Sequence, residues 1–401
     1  MTVNSKQSDH KAPELRFPGF PDIWEEKRIK DIASFYSGGT PTSTNKGYYN
    51  GKIPFIRSGE ILTNETEQFI TEKAIKSSSA KMVDKGALLY ALYGATSGCV
   101  AISQIKGAIN QAILCIRTDE ITDWLFNYLS YRKEKILAKY LQGGQGNLSA
   151  NIIKNLRLYI PSLPEQQKIA GFLGAVDKWI ENLRSQKASL ESNKKGMMQK
   201  IFSQEIRFKD DKGYYFPEWE KKRLGDTGEI VTGTTPPTED SEYYGGDLPW
   251  VTPTDINYEK DIFSTKIQLT KKGLSRARMV PKNSLLVTCI ASIGKNVILR
   301  VDGSCNQQIN AITPNKYNNV DFLYYLVEQN NNILLRYAGA GGMLMLNKKD
   351  FSRLKFNLPS LPEQHKIADF LTSTDNLINL EKQQITLAEK WRKGLMQGLF
   401  V

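Results

Sequence analysis

PSLPEQQKIAGFL, from Pro161 to Leu173, returns almost unchanged as PSLPEQHKIADFL, from Pro359 to Leu371, 198 residues later with 11 of 13 positions identical. At the same displacement GMMQKIF (Gly196 to Phe202) returns as GLMQGLF (Gly394 to Phe400). The chain therefore carries two copies of one helix-forming segment. Upstream of each lies a stretch that repeats only loosely: WEEKRIKDIASFYSGGTPT (Trp24 to Thr42) and WEKKRLGDTGEIVTGTTPP (Trp219 to Pro237), 195 residues apart. Nearly fixed helices joined to diverged globular parts imply two related heads, free to differ in what they grip, on one shared spacer.

Each repeat places a proline, Pro164 or Pro362, where a helix begins, because its missing N–H would be unpaired there anyway. Glu165 or Glu363 follows and suits the positive end of the helix. In the first helix Ile169, Val176, Leu183, Leu190 and Met197 recur every seven residues and form one apolar seam. The second keeps Leu371, Ile378 and Ile385, misses at Arg392 and resumes at Leu399. Each segment is about 37 residues, roughly 55 Å at 1.5 Å per residue. Two stripes of matching length predict antiparallel packing of the helices on each other, with a head at each end and a pseudo-twofold axis between. One turn of B-DNA is about 34 Å, so such a spacer would hold the heads on separate major grooves.

The 401 residues suit two domains better than one core. Lys plus Arg number 54 against 42 for Asp plus Glu, a net charge of +12, which favours a polyanion such as nucleic acid or an acidic membrane surface. No apolar run approaches the ~20 residues of a membrane span, and the N-terminus lacks a signal-peptide pattern, so a cytoplasmic protein is expected. Cys99, Cys115, Cys289 and Cys305 form no CxxC pair, and the only histidines are His10 and His365. Buried reduced thiols and no metal site are therefore expected.

In the first head IPFIRS (Ile53 to Ser58), GALLYALYG (Gly86 to Gly94), CVAI (Cys99 to Ile102) and QAILCIR (Gln111 to Arg117) read as strands, and Asp123 to Leu141 as a helix. The second head repeats this order and ends in a helical Asp321 to Tyr337. The fold class is α+β: two pseudo-repeated mixed α/β domains, each with a twisted, mainly antiparallel sheet, separated by two long antiparallel helices in a coiled-coil-like spacer. The expected boundaries are a flexible tail at 1–14, a first head at 15–160, a central helix at 161–204, a second head at 205–358 and a C-terminal helix at 359–401.

The tools of a nucleic-acid enzyme are missing from the sequence. There is no Asn/Asp-Pro-Pro-Tyr/Phe motif for amino methylation and no glycine-rich methyl-donor turn. There is no Walker A either: Gly294-Lys295 is followed by Asn296, and Cys289 stands where the first glycine belongs. Pro21-Asp22 with Glu25-Glu26-Lys27 is the one nuclease-like fragment, but its carboxylates are too close in sequence to come from neighbouring strands. A chain that binds and does not catalyse is expected.

Two loosely repeated heads opening with W-x-x-K-R-[LI] and G-[GT]-T-P, each followed by P-S-L-P-E-Q-x-K-I-A-x-F-L, resemble the specificity subunit of a type I restriction–modification system over residues 17 to 401. The resemblance implies two target-recognition domains, each reading half of a bipartite site in double-stranded DNA, with the helices setting the gap. It implies two methyltransferase subunits docked on the helical regions, with restriction subunits joining them. S-adenosylmethionine, ATP and magnesium would belong to those partners, with no cofactor on this chain and no membrane. The residues assigned to spacer and docking are Glu165, Gln166, Ile169, Phe172, Val176, Leu183 and Leu190, with Glu363, Gln364, Ile367, Phe370, Leu371, Ile378 and Ile385.

Loops rich in Thr, Ser, Asn, Arg and Lys suit the reading of base edges in the major groove. In the first head the candidates are Thr40, Thr42, Arg57, Ser58, Tyr93, Thr96 and Asn147. In the second they are Thr235, Thr252, Thr254, Asp255, Ser292, Lys295 and Met343. For each, a turn or cap role stays open, and Asn110-Gln111 with Asn306-Gln307 are open to reading as buried structural amides. Arg57 and Thr252, at aligned positions, would let the heads ask for different bases. Two rivals remain: a self-contained restriction–methylation fusion, and a tether with basic heads on anionic lipid.

Overall fold

The computed structural model describes residues 12–140, 147–257, 259–339 and 345–401. Most of the tail expected at 1–14 and the candidate Met343 lie outside them. The chain divides into two compact units, Met1–Leu183 with Gln384–Val401, and Arg184–Gln383. Each unit is a head together with part of each of the two long helices, Leu163–Phe202 and Leu361–Leu399.

In the first unit a four-stranded antiparallel sheet runs in the order Ala33–Ser37, Ile113–Thr118, Leu88–Ala91, Val100–Ile102. Alternation along Leu88–Ala91 decides the layers. Leu88 and Tyr90 pack towards the helix Thr122–Tyr140 and the long helix, while Leu89 and Ala91 pack towards Ile56, Ile61, Val83 and Ile109. Those residues belong to or adjoin a second sheet, Phe69–Ile70, Tyr49–Ile56, Gly107–Ile109, Lys81–Val83, in which Tyr49–Ile56 and Gly107–Ile109 are parallel. A two-stranded ribbon of Glu25–Arg28 and Arg157–Ile160 closes the head beside the long helix.

The second unit repeats these layers. Its larger sheet is Gly228–Thr232, Ile309–Pro314, Ser284–Thr288, Asn296–Leu299, with a fifth strand, Asp261–Ile262, added in parallel at the edge. Arg300 holds that strand by bonding Asp261 and Asp321, both at 2.6 Å, and Lys260 bonds Asp321 and the helix residue Thr372. The helix expected over Asp321 to Tyr337 is two, Val320–Gln329 and Asn331–Gly339. The break falls in the run Asn330-Asn331-Asn332, where Asn330 leaves helical geometry as a C-cap and its side chain bonds the Leu326 carbonyl.

Within each unit the segments of the two long helices run antiparallel. In the first, Val176, Ile180 and Leu183 pack on Ala388 with Ile385 and Leu395 alongside. In the second, Met198 and Ile201 join a core with Ile367, Ala368 and Leu371. The seven-residue seam drifts as a straight helix of 3.6 residues per turn requires: Ile169, Val176 and Leu183 are buried, Leu190 is half-buried, and the buried methionine is Met198, not Met197. The miss at Arg392 is an ion pair. Its guanidinium grips Asp177, with Nη2 at 2.9 Å from Oδ2, and also donates to Asn127. Lys194, the equivalent residue in the other repeat, pairs with Asp375 at 2.9 Å.

The repeated L-P-E-Q fixes head to helix. Glu165 accepts both arms of Arg16 at 2.8 Å and the Trp24 indole at 3.2 Å; Glu363 accepts Arg207 at 3.3 and 3.0 Å and the Trp219 indole at 3.2 Å. Gln166 accepts the Ile121 amide and donates to the Pro161 carbonyl, as Gln364 does with Asn319 and Pro359. All four side chains are buried and spent on the head of their own unit. Glu363→Ala should leave the nearly buried Arg207 without its main partner and lower stability by about 3 kcal/mol, read as a lower urea midpoint for the first unfolding transition; an unchanged midpoint would contradict this.

Candidate nucleic-acid interface

Loops that leave adjacent strands gather most of the candidates of the first head. The segment Gly38 to Thr42 follows Ala33–Ser37, Arg57 to Glu60 follows Tyr49–Ile56, Leu92 to Gly98 joins Leu88–Ala91 to Val100–Ile102, and Asn110-Gln111 precedes Ile113–Thr118. Backbone contact ties them together. Asn110 N–H donates to the Ile56 carbonyl at 3.3 Å, and Leu148 N–H donates to the Leu92 carbonyl at 2.8 Å, which brings exposed Asn147 alongside. A Cβ on Gly38 would stand 1.7 Å from the Ile109 carbonyl oxygen, so only glycine lets this loop approach. Thr96 donates to the Ser58 carbonyl at 2.8 Å, and Thr40 donates to the Gln111 side-chain oxygen at 2.6 Å. Thr42 is exposed, its carbonyl closing a turn with Asn45.

Arg57 is held from two sides. Its guanidinium bonds Glu60 at 3.0 and 3.1 Å and Glu67 at 2.6 Å, while over a third of the side chain stays open to solvent. Those hydrogen bonds raise the Arg57 pKa. Burial pulls the Glu60 carboxyl up, but its bonds with Arg57 and the Glu67 amide outweigh this and hold it below the usual range. The result is a cation fixed in direction and largely neutralised. Tyr93 is raised by burial, offset in part by its hydrogen bond with Gln111.

In the second head the Arg57 place is taken by Thr252, whose amide and hydroxyl both donate to Asp255, at 2.8 and 2.6 Å, and whose hydroxyl meets Thr254 at 2.8 Å. The alignment holds, but the cation is replaced by an anionic hydroxyl turn. Ser292 is half-buried with its carbonyl accepting from Thr288, and Lys295 is exposed. Thr235 donates to Gln307 as Thr40 does to Gln111. Beside Met343, which is outside the described residues, Met345 bridges Ile290.

The asparagines of the two Asn-Gln pairs are structural, each accepting an amide two residues on, from Ala112 or Gln308. The glutamines are not buried: Gln111 and Gln307 are exposed. Sequence reasoning also passed over Glu60 and Glu67, although an arginine followed three residues later by a glutamate was the available signal. Of the docking candidates, Phe172 lies between Phe17 and Trp391, and Phe370 is exposed against Phe208. Among the described residues no group of three or more His, Cys, Asp or Glu is placed to hold a metal, and no helix is long and apolar enough to cross a membrane. Cys115, Cys289 and Cys305 are buried, with Cys289 and Cys305 pushed up to about 12 mainly by burial, while Cys99 is only half-buried.

The family model for the type I restriction modification DNA specificity domain matches twice, over residues 21–192 and 217–390. The chain belongs to this family. It is 27% identical over 404 aligned residues, 94% of this chain and 93% of the relative, to the putative type I restriction enzyme MjaX specificity subunit of Methanocaldococcus jannaschii. It is 33% identical to the MjaIX specificity subunit of the same organism over 50% of this chain and 48% of that one. The fold matches the S subunit of a type I restriction–modification system from M. genitalium with a TM-score of 0.61, covering 97% of this chain and 99% of that one at 16% identity. The protein is thus a specificity subunit with two DNA-recognition domains, not a catalytic subunit, and it works in a complex with other subunits.

Glu60→Gln with Glu67→Gln should unmask the Arg57 charge. Non-specific duplex binding by the purified chain should strengthen, and the slope of log affinity against log salt should steepen by up to about one, read by fluorescence anisotropy across a salt series; an unchanged slope would mean Arg57 lies away from DNA.

Proposed function

We propose that each head reads one half of a bipartite, asymmetric site in double-stranded DNA, and that the long helices set the gap and dock two methyltransferase subunits, through which restriction subunits join. The observation that carries this reading is the contrast at one place on a duplicated frame: a buttressed guanidinium at Arg57 against a Thr252–Thr254–Asp255 turn. With Nε and Nη2 of Arg57 held by Glu60 and Glu67, its Nη1 is left as a donor that suits an acceptor of guanine, whereas a hydroxyl turn beside a carboxylate suits a base with an amino donor. Loops so different do not select the same half-site. S-adenosylmethionine, ATP and magnesium belong on the partner subunits, and the assembly acts in the cytoplasm.

Exposed apolar side chains on the long helices support the docking role. Trp179 and Trp391 are each nearly half exposed and meet edge to face in the first unit, and Leu377 and Leu380 are exposed in the second. Large apolar groups kept in water on a helix mark a surface that a partner covers.

The test is a methylation map of DNA from cells expressing this chain with its methyltransferase subunit. Paired N6-methyladenines in a split, asymmetric motif with a fixed gap are expected. A palindromic motif would defeat the asymmetric reading. No methylation from a verified complex would point to an inactive recognition subunit and defeat the reading of a bipartite site. Arg57→Ala should relax one base pair of one half-site by about 1–3 kcal/mol and leave the other half unchanged. Trp391→Glu should lower the amount of methyltransferase subunit retained on size exclusion without loss of folding; unchanged retention would place docking elsewhere.

A further inference from the structure

The two heads differ at almost every candidate contact, yet within the candidate loops an exposed side-chain pair is the same in both: Thr40 with Gln111, and Thr235 with Gln307. Its surroundings have changed. Tyr93, which lies beside Gln111, is replaced by Ile290, and Arg57 by Thr252. The pair is not needed to hold its loops together. Gly38 already lies against the Ile109 carbonyl, and in the second head Gly233 and Thr234 N–H groups donate to the Ile309 and Cys305 carbonyls at 3.0 and 2.9 Å. A solvent-exposed neutral hydrogen bond adds little to stability.

Each glutamine is also placed by a matching turn. The preceding asparagine donates its backbone N–H to the end of the neighbouring strand, Ile56 or Val251, and its side chain accepts the amide two residues on, at 3.1 or 3.0 Å. The threonine hydroxyl then occupies the side-chain oxygen and sets the amide's orientation, which leaves the NH2 group as a directed donor, in the first head with one of its two hydrogens turned towards Tyr93. What is common to both heads must meet something common to both half-sites. If the half-sites differ in bases, as proposed above and on which this inference rests, the shared acceptor is the sugar–phosphate backbone, the part of DNA that fixes register without reading sequence.

We propose that Gln111 and Gln307 are matched positioning residues, each donating its amide NH2 to a DNA phosphate at the equivalent point of its half-site. They place the two diverged heads on the duplex in the same way, so that the neighbouring loops can differ in the bases they read.

The experiment uses the complex of this chain with its methyltransferase subunits and a duplex carrying the mapped site. Gln111→Leu and Gln307→Leu should each weaken binding about tenfold, or 1.4 kcal/mol, while the methylation motif and the thermal unfolding temperature stay as in the wild type. The salt slope should not change, because a neutral amide releases no counterion. A scan of single methylphosphonate substitutions should find one phosphate per half-site whose neutralisation weakens the wild type but not the variant. Thr40→Val, which keeps the amide and removes its tether, should give a partial loss at that phosphate. Unchanged affinity would overturn the proposal, as would relaxation of the motif at one base pair, which would make the glutamine a base reader. A wild-type complex with no preference for a split site would overturn the functional reading as well; a wild type that binds its split site beside variants that bind equally well overturns this inference alone.

Discussion

A carboxylate sealed inside the protein at the first turn of each long helix sets the terms for the rest of the chain. Glu165 and Glu363 are excluded from solvent, and an unpaired buried carboxylate costs several kcal/mol. Each is answered by a bidentate arginine and a tryptophan indole from the segment that enters its head. The head can close in one way only, because its entry strap and its helix must arrive together. The adjacent glutamine adds a second bond from the helix to the loop before the head's own helix, at Ile121 or Asn319. That is the physical content of the repeated L-P-E-Q: the motif is nearly invariant between copies because its side chains face inward to a fixed set of partners.

The same frame is made twice with different chain connections. In one unit Leu15 N–H donates to the Gly398 carbonyl between segments remote in sequence; in the other Ile206 N–H donates to the Lys200 carbonyl across a turn. Phe400 inserts among Trp124, Tyr128 and Tyr131, and Phe202 takes the same place against Trp219 and Phe322. The ion pairs Arg392–Asp177 and Lys194–Asp375 add a third matching join between helix segments. Position 392 breaks an apolar pattern read along one helix, yet it obeys the pairing between two.

Periodicity made the long helices, the strands at Leu88–Ala91 and Ser284–Thr288 and the duplicated order legible in the sequence, because burial on both sides of a strand or along one helix face leaves a local mark. What stayed hidden depends on partners far along the chain. Arg16 and Arg207 look like ordinary basic residues until the helix, some 150 residues away, supplies Glu165 or Glu363. The exposure of Gln111 and Gln307 could not be read from an Asn-Gln pair, since which of two adjacent amides turns inward depends on the turn that seats them. Three asparagines in a row were a local signal for the break at Asn330, outweighed by the apolar spacing around them.

The division of labour between frame and loops also accounts for how far the heads have diverged. Gly94 in the first head has a positive φ of 93°; in the second the aligned residue is Ala291, held at 61° where a side chain costs about 1 kcal/mol. The loop tolerates this because its backbone is imposed from outside, by bonds such as Gly294 N–H to Thr288 and Leu346 N–H to Cys289. A loop whose path is set by its neighbours' main chain can change its side chains without losing its shape. Substitution there alters what the surface presents at small cost to folding, whereas a Cβ at Gly38 or Gly233 would drive into a carbonyl and open the interface itself. Variation is therefore confined by geometry to the side chains that project from the frame.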